Sequence, residues 1–230
     1  METTENAAPL IAIVGAGPGL GLEIARAFGR QGFSVALVAR NATKLDDLAA
    51  TLKEEGIDAA GFPADLLDPA TITSAFARIK ATYGAIDVLE ISALDHTLAP
   101  ADVLAVTPEN LQPQLDFSLS AIHVVRQVAD DMIAAKSGTI LITTGGGSIT
   151  PVPFLANINI AAAGLRNWTL NLHNVLKEHG VHVTHVAISA WIGGGHPNAA
   201  ADVIAKVYPE LHATRDQAEL HYVALDAQPI

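Results

Sequence analysis

Residues 10–21 read Leu-Ile-Ala-Ile-Val-Gly-Ala-Gly-Pro-Gly-Leu-Gly. The apolar residues 10–14 have the composition of a strand that is buried on both faces. The glycines that follow allow positive φ and let the backbone approach a pyrophosphate, which the N-terminus of the next helix would attract. The alternative is a tight turn without a ligand. The context favours a dinucleotide site, whose predicted residues are Gly15, Gly17, Gly19, Leu20 and Gly21.

Outward from this turn, apolar strands alternate with helical segments along the whole chain. Further strands are predicted at 34–39, 59–63, 86–91, 139–143, 181–188 and near 219–225. Further helices are predicted at 43–55, 69–82, 108–135, 155–179 and near 198–207. The alternation predicts an α/β fold of Rossmann type, a doubly wound parallel sheet of about seven strands with helices on both faces. We expect a single domain over residues 1–230, with a flexible N-terminus over residues 1–8.

Composition excludes several classes of function. The chain has 230 residues, a formal net charge of −11 and no cysteine. The lack of cysteine excludes disulfides, thiol catalysis and zinc-thiolate centres, and we expect no metal. The acidic charge is a poor match for nucleic acid or an anionic membrane. Because the first residues are acidic and polar, unlike a targeting peptide, a soluble cytoplasmic protein is expected.

The end of the second predicted strand bears on the choice of nucleotide. It reads Ala39-Arg40-Asn41, whereas an NAD site usually has an acidic residue there to hold the ribose 2′-hydroxyl. A guanidinium can pair with a 2′-phosphate instead. NADP(H) is therefore favoured over NAD(H), and the alternative is an ion pair of Arg40 with Asp46 or Asp47.

The spacing Gly15-x-x-x-Gly19-x-Gly21, the chain length and the order of the elements resemble those of the short-chain dehydrogenase/reductase superfamily. Asp65-Leu66 looks like the pair whose neighbourhood holds the adenine in that family, although Asp65 also fits a simple capping role. Gly138-Thr139-Ile140 looks like the family's entry into the fifth strand. By the same resemblance, the remaining cofactor contacts are expected at Ser92, Ala93, Thr144 and Ile192.

The resemblance stops at the family's catalytic positions. The helix asparagine falls on Ser118, and the serine after the fifth strand falls on Gly145. The Tyr-x-x-x-Lys pair falls on Ile158 and Ala162. No shift of register restores the pair, because none of the three tyrosines is followed four residues later by lysine. In the family, these groups supply and orient the proton, so ordinary ketone reduction loses its usual acid.

Other residues near the same sheet edge are candidates for the chemistry. Ser148 could partly replace the missing serine, and His96 is the most plausible remaining acid; Ser118 is a third candidate. The alternatives are a hydroxyl that satisfies loop backbone and an exposed loop histidine. The expected substrate pocket consists of Gly145, Gly146, Asn157, Ile158 and Trp191, with helix capping as the favoured alternative for Asn157 and a core position as the alternative for Trp191.

Two functions remain open from the sequence. One is an NADP(H)-dependent oxidoreductase with a nonstandard active site, acting on a small substrate such as an activated C=C bond, an imine or a carbonyl. The other is a catalytically inactive NADP(H)-binding sensor or partner subunit. The segments 108–135 and 155–179 carry many small apolar residues, and similar proteins pair such helices, which predicts a homodimer or homotetramer.

Overall fold

A computed structural model describes residues 8–225. Seven strands form one sheet in the order β3-β2-β1-β4-β5-β6-β7, and every neighbouring pair is parallel. The strands are β1 (Leu10–Val14), β2 (Ser34–Ala39), β3 (Ala59–Pro63), β4 (Val88–Ile91), β5 (Thr139–Gly145), β6 (His182–Ala190) and β7 (Glu219–Ala224). The predicted doubly wound Rossmann-type sheet is thus confirmed.

Eight α-helices connect and cover the strands of the described chain. They are α1 (Leu20–Gly29), α2 (Ala42–Glu54), α3 (Pro69–Tyr83), α4 (Pro108–Val125), α5 (Ala129–Ala135), α6 (Ala156–Leu176), α7 (Ala201–Ile204) and α8 (Val207–Thr214). Local sequence explains several helix starts: the Asn41 side chain accepts from Lys44 N before α2, and Thr107 forms a capping box with Asn110 before α4.

The sheet separates two hydrophobic cores. On one face, α1, α2 and α8 bury residues such as Phe28, Leu45 and Tyr208. On the other, α3 to α6 bury residues such as Phe76 and Met132. None of the described helices is long and apolar enough to cross a membrane.

Several element boundaries differ from the sequence-based predictions. The predicted helix 108–135 is wrong as one element, because the chain leaves α-geometry at residues 126–128 before α5 begins. There Val128 is buried and its N–H bonds to Val125 O, three residues back, so packing tightens the turn. The fourth strand begins at Val88 rather than at residue 86, and the segment near 198–207 contains α7 and the start of a separate helix, α8. The expected flexible segment 1–8 lies outside the described residues, except for Ala8.

Candidate active site

The glycine turn between β1 and α1 lies directly against the end of β4. Gly15 has a φ of +91°, and a Cβ atom at this position would stand 2.4 Å from Cα of Ala93. Only glycine allows this approach of two backbone segments. At Gly19, which precedes the first residue of α1, an added Cβ would meet nothing within 4 Å. The turn therefore has a tight backbone contact with Ala93 on one side and open space at the N-terminus of α1 on the other, where a phosphate would be stabilised.

The other residues of the turn support this arrangement. Gly21 packs against Ala16, since a Cβ on Gly21 would stand 3.2 Å from Ala16 Cα. This brings the first turn of α1 close to the chain that leaves β1. Gly17 and Leu20 are both half-buried in the same turn.

Arg40 follows the C-terminal end of β2 and reaches the loop after β4. Its Nη1 lies 3.1 Å from Oδ2 of Asp95; the Arg40 side chain is 53% exposed and that of Asp95 4%. The pKa of Asp95 is lowered, first by the hydrogen bonds from Thr97 and further by Arg40. The observed partner of Arg40 is thus Asp95, not Asp46 or Asp47 on α2. Even in this ion pair, about half of the Arg40 side chain stays exposed at the sheet edge.

Asp65 organises the turn into α3. Its Oδ1 accepts from Leu67 N at 3.0 Å, and its carbonyl oxygen accepts from the Thr71 hydroxyl at 3.0 Å. The side chain is exposed, and the neighbouring Leu66 is buried. Asp65 therefore performs the local role that was the alternative to adenine binding, and a contact with the cofactor stays a prediction.

A buried carboxyl group supports Ser92 at the end of β4. Glu90 is fully buried, and its two oxygens accept from Ser92 Oγ and Thr143 Oγ1, each at 3.0 Å. The phenol of Tyr208 lies 2.8 Å from the Thr143 hydroxyl. Burial raises the pKa of Glu90 to about 8, although the two hydroxyl groups oppose the shift. Glu90 is therefore largely protonated at neutral pH.

A second polar chain begins at the end of β5 and runs under α6. The Thr144 Oγ1 lies 2.9 Å from Ser148 Oγ and 2.8 Å from His185 Nε2. The Nδ1 of His185 lies 2.9 Å from Oε1 of Glu219, which Arg166 holds with two further hydrogen bonds of 2.5 and 2.7 Å. Burial lowers the pKa of His185, against the effect of Glu219, and the pKa of Glu219 is lowered first by its hydrogen bond to Arg166.

Asn157, in the first turn of α6, holds the surrounding backbone. It is fully buried. Its Oδ1 accepts from Ala101 N at 2.8 Å, and its Nδ2 donates to the carbonyls of Ala99 and Asn110 at 3.0 and 3.2 Å. Because these partners are backbone groups, Asn157 clamps the loop before α4 to the start of α6 and is not free to face a substrate.

The remaining predicted residues differ in accessibility. Gly146 is buried against Ser189, Ser148 is 6% exposed, and Ile158 and Ser118 are half-buried. The exposed residues are His96, Gly145, Ile192 and Trp191, of which Trp191 is 66% exposed and therefore not part of the core. Among residues 8–225, no group of three His, Cys, Asp or Glu side chains could hold a metal ion.

Sequence reasoning missed the residues behind this edge. His185, Glu219 and Arg166 are far apart in the sequence and belong to no motif. One signal was available, because His185 lies inside the predicted strand 181–188, and a buried polar side chain needs a partner.

The parallel sheet, with its glycine turn and helix N-terminus at the C-terminal edge, defines a dinucleotide-binding α/β protein. The family model for short chain dehydrogenases matches residues 9–191. The chain therefore belongs to the short-chain dehydrogenase family.

Relatives and solved structures agree with this assignment. The chain is 33% identical over 176 residues to a 2,3-dihydro-2,3-dihydroxybenzoate dehydrogenase of Bacillus subtilis, covering 76% of this chain and 67% of the relative. It is 29% identical over 182 residues to a very-long-chain 3-oxoacyl-CoA reductase of Phaeosphaeria nodorum, which matches 74% of this chain; this chain spans 51% of that relative.

Two solved structures show the same fold. An actinorhodin polyketide ketoreductase variant with NADPH superposes with a TM-score of 0.84 at 21% identity, over 94% of this chain and 96% of that one. The L-sorbose reductase of Gluconobacter frateurii, complexed with NADPH and L-sorbose, gives 0.83 at 19% identity, over 94% and 95%.

Proposed function

We propose that this chain is an NADP(H)-dependent oxidoreductase with a nonstandard active site. Its substrate would be a small organic molecule with a carbonyl, an imine or an activated C=C bond. The observation that carries the proposal is the glycine turn packed on the end of β4, with Arg40 half-exposed at the same sheet edge. Solved neighbours that hold NADPH or NADP support this choice of nucleotide.

The residues present fit the nucleotide. The open space at Gly19 suits the pyrophosphate, and Arg40 suits a 2′-phosphate because a guanidinium can bind it through paired N–H groups. When bound, the nicotinamide supplies or accepts a hydride. Ile158 and Ala162, in the first turns of α6, would stand where the family has tyrosine and lysine, so the proton must come from elsewhere.

The Arg40→Ala variant is expected to weaken NADPH binding by about 10- to 100-fold and to leave NADH binding nearly unchanged, because one charge-assisted contact contributes roughly 1.5–3 kcal/mol. Fluorescence titration with both nucleotides measures the two affinities. The matched control is Arg30→Ala, since Arg30 lies beyond the C-terminus of α1 and is 70% exposed. Equal losses for both nucleotides, or no loss, would contradict the preference for NADP(H).

A second function is favoured by one observation. Ile158 and Ala162 place apolar groups at the start of α6, as expected of a catalytically inactive NADP(H)-binding sensor or partner subunit. A panel of ketones, alcohols, enones and imines separates the two functions. NADPH oxidation or NADP+ reduction supports the enzyme. Tight NADPH binding without turnover, together with a nucleotide-dependent protein partner, supports the sensor.

The expected assembly of the protein depends on the surfaces of two helices. We expect a homodimer or homotetramer through α4 and α6, whose Leu119 and Ile160 are each 46% exposed. Light scattering at micromolar concentration tests this, and a monomer would contradict it. A cytoplasmic location, and the lack of nucleic-acid and membrane partners, stay expectations from the acidic composition.

A further inference from the structure

A continuous chain of hydrogen-bonded side chains leads from the catalytic edge of the sheet to solvent. It starts at Ser148 and Thr144, passes through the fully buried His185, and ends at Glu219 and Arg166. The last two side chains are 25% and 32% exposed, at the edge strand β7 and on α6. Each member is thus within hydrogen-bonding distance of the next. Ser148 is 6% exposed and His185 is fully buried, so water reaches these side chains mainly at Glu219 and Arg166.

The partners fix where the protons lie. Arg166 keeps Glu219 ionised, so Nδ1 of His185 donates its proton to that carboxylate. Nε2 of the neutral imidazole then carries a lone pair, which accepts from the Thr144 hydroxyl. Because the single proton of the Thr144 hydroxyl then points to His185, the Thr144 oxygen is left to accept from the Ser148 hydroxyl, 2.9 Å away. His185 is therefore the base that receives a proton from Ser148 and Thr144, and the Glu219 carboxylate sets its tautomer.

Ser148 is the end of this hydrogen-bonded series at the glycine turn after β5. The Thr144 oxygen already has three neighbours within 3.2 Å, namely Ser148 Oγ, His185 Nε2 and Gly145 O. The Ser148 hydroxyl contacts only Thr144 among the described side chains, so it keeps a lone pair for a substrate hydroxyl or carbonyl.

We propose that Ser148, Thr144 and His185 form a proton relay that serves the substrate oxygen, with Glu219 and Arg166 as positioning residues. The inference rests on the proposed function and narrows its substrate class. A relay of this kind matters most for an alcohol and ketone pair, because its oxygen must lose or gain a proton.

The step balances in both directions. During alcohol oxidation, the substrate O–H bond breaks and its proton goes to Ser148 Oγ, while the Ser148 proton moves to Thr144 and the Thr144 proton to His185 Nε2. The substrate C–H bond breaks at the same stage, and its hydride leaves to the oxidised nicotinamide. A ketone and an imidazolium result. Ketone reduction runs the same transfers backwards, with the imidazolium as the acid.

The test compares two histidines of the same strand. His185→Gln is expected to lower kcat for alcohol and ketone substrates by about 100-fold or more, which is the usual contribution of a general acid or base. NADPH affinity should stay unchanged. The matched control is His182→Gln, since His182 is also buried and lies 2.7 Å from a threonine hydroxyl, that of Thr184, but at the opposite edge of the sheet.

A second variant and a measurement without turnover complete the test. The titratable groups that face His185 are Glu219 and His221 on β7 and Arg166 on α6. In nitrogen NMR spectra of the free protein, His185 should show the Nδ1–H tautomer. Glu219→Gln should lower the pKa of His185 and shift the pH profile of kcat in the same direction, with NADPH affinity unchanged.

The possible failures are distinguishable. If His185→Gln turns over alcohols and ketones like the wild type, or if the NMR tautomer is Nε2–H, the relay is overturned and the cofactor function stands. If the wild type reduces only enones or imines, the relay is overturned as well. If the wild type does not bind NADPH, the proposed function itself fails.

Discussion

Gly15→Ala is expected to abolish measurable NADPH binding and to lower the free energy of unfolding by about 3 kcal/mol, combining left-handed strain with overpacking. The positive φ of +91° disfavours any side chain, and the added methyl group would stand 2.4 and 2.6 Å from the backbone Cα and N of Ala93. These backbone atoms lie two residues beyond the end of β4, a central strand, and cannot move aside without displacing the chain that leaves that strand. The displaced turn would then close the space at Gly19.

The control for this variant separates the effect of the steric clash from the effect of the positive φ. Gly32 has a similar φ of +88°, but a Cβ there would meet nothing within 4 Å. Gly32→Ala should therefore cost only about 1–2 kcal/mol and leave NADPH binding intact. Chemical unfolding and nucleotide titration measure both effects. Wild-type affinity in Gly15→Ala would show that the nucleotide does not use this turn.

The largest pH effect is expected from Glu90. Its pKa in the folded protein, about 8, lies above the ordinary value of 4.5, so the folded state binds the proton more tightly than the unfolded chain. This favours folding most at low pH. The advantage is lost as the pH rises from 4.5 to about 8, and the carboxylate above that range remains buried at a cost of roughly 4–5 kcal/mol.

The Glu90→Gln variant should remove this fall in stability. A neutral amide keeps hydrogen bonds to Ser92 and Thr143 without a charge to bury. Thermal unfolding measured across the pH range should show that the melting temperature of the variant rises relative to that of the wild type as the pH increases. Glu54→Gln, on the exposed face of α2, should parallel the wild type. If the melting temperatures of Glu90→Gln and the wild type change with pH in the same way, Glu90 is not the source of the pH dependence.

The fold could be predicted from the sequence because its periodicity is local. The strands 10–14, 34–39 and 59–63 occur where their apolar runs predict them. The interruption at residues 126–128 has no glycine or proline to announce it. It results from packing of Val128 into the core, which no local pattern encodes.

The candidate site was only partly predictable, for a similar reason. The glycine turn is a contiguous motif, and Arg40 follows directly from the end of a strand. The relay is assembled by the sheet instead: the register pairs His185 with Ile142 on one side and Glu219 on the other, which brings Thr144 and Glu219 to opposite sides of one imidazole. Only the order of the strands in space reveals that neighbourhood.

The clamp formed by Asn157 has a consequence for redesign. The Asn157 amide bonds to the backbone of residues 99 and 101 and of Asn110, immediately before Ile158. These bonds fix the first turn of α6 to both segments and oppose fraying of the helix end. New side chains at residues 158 and 162 would be displayed from a fixed backbone. The protein thus offers a scaffold on which the family's tyrosine and lysine could be introduced beside the proposed relay. The two routes of proton transfer could then be compared within one protein.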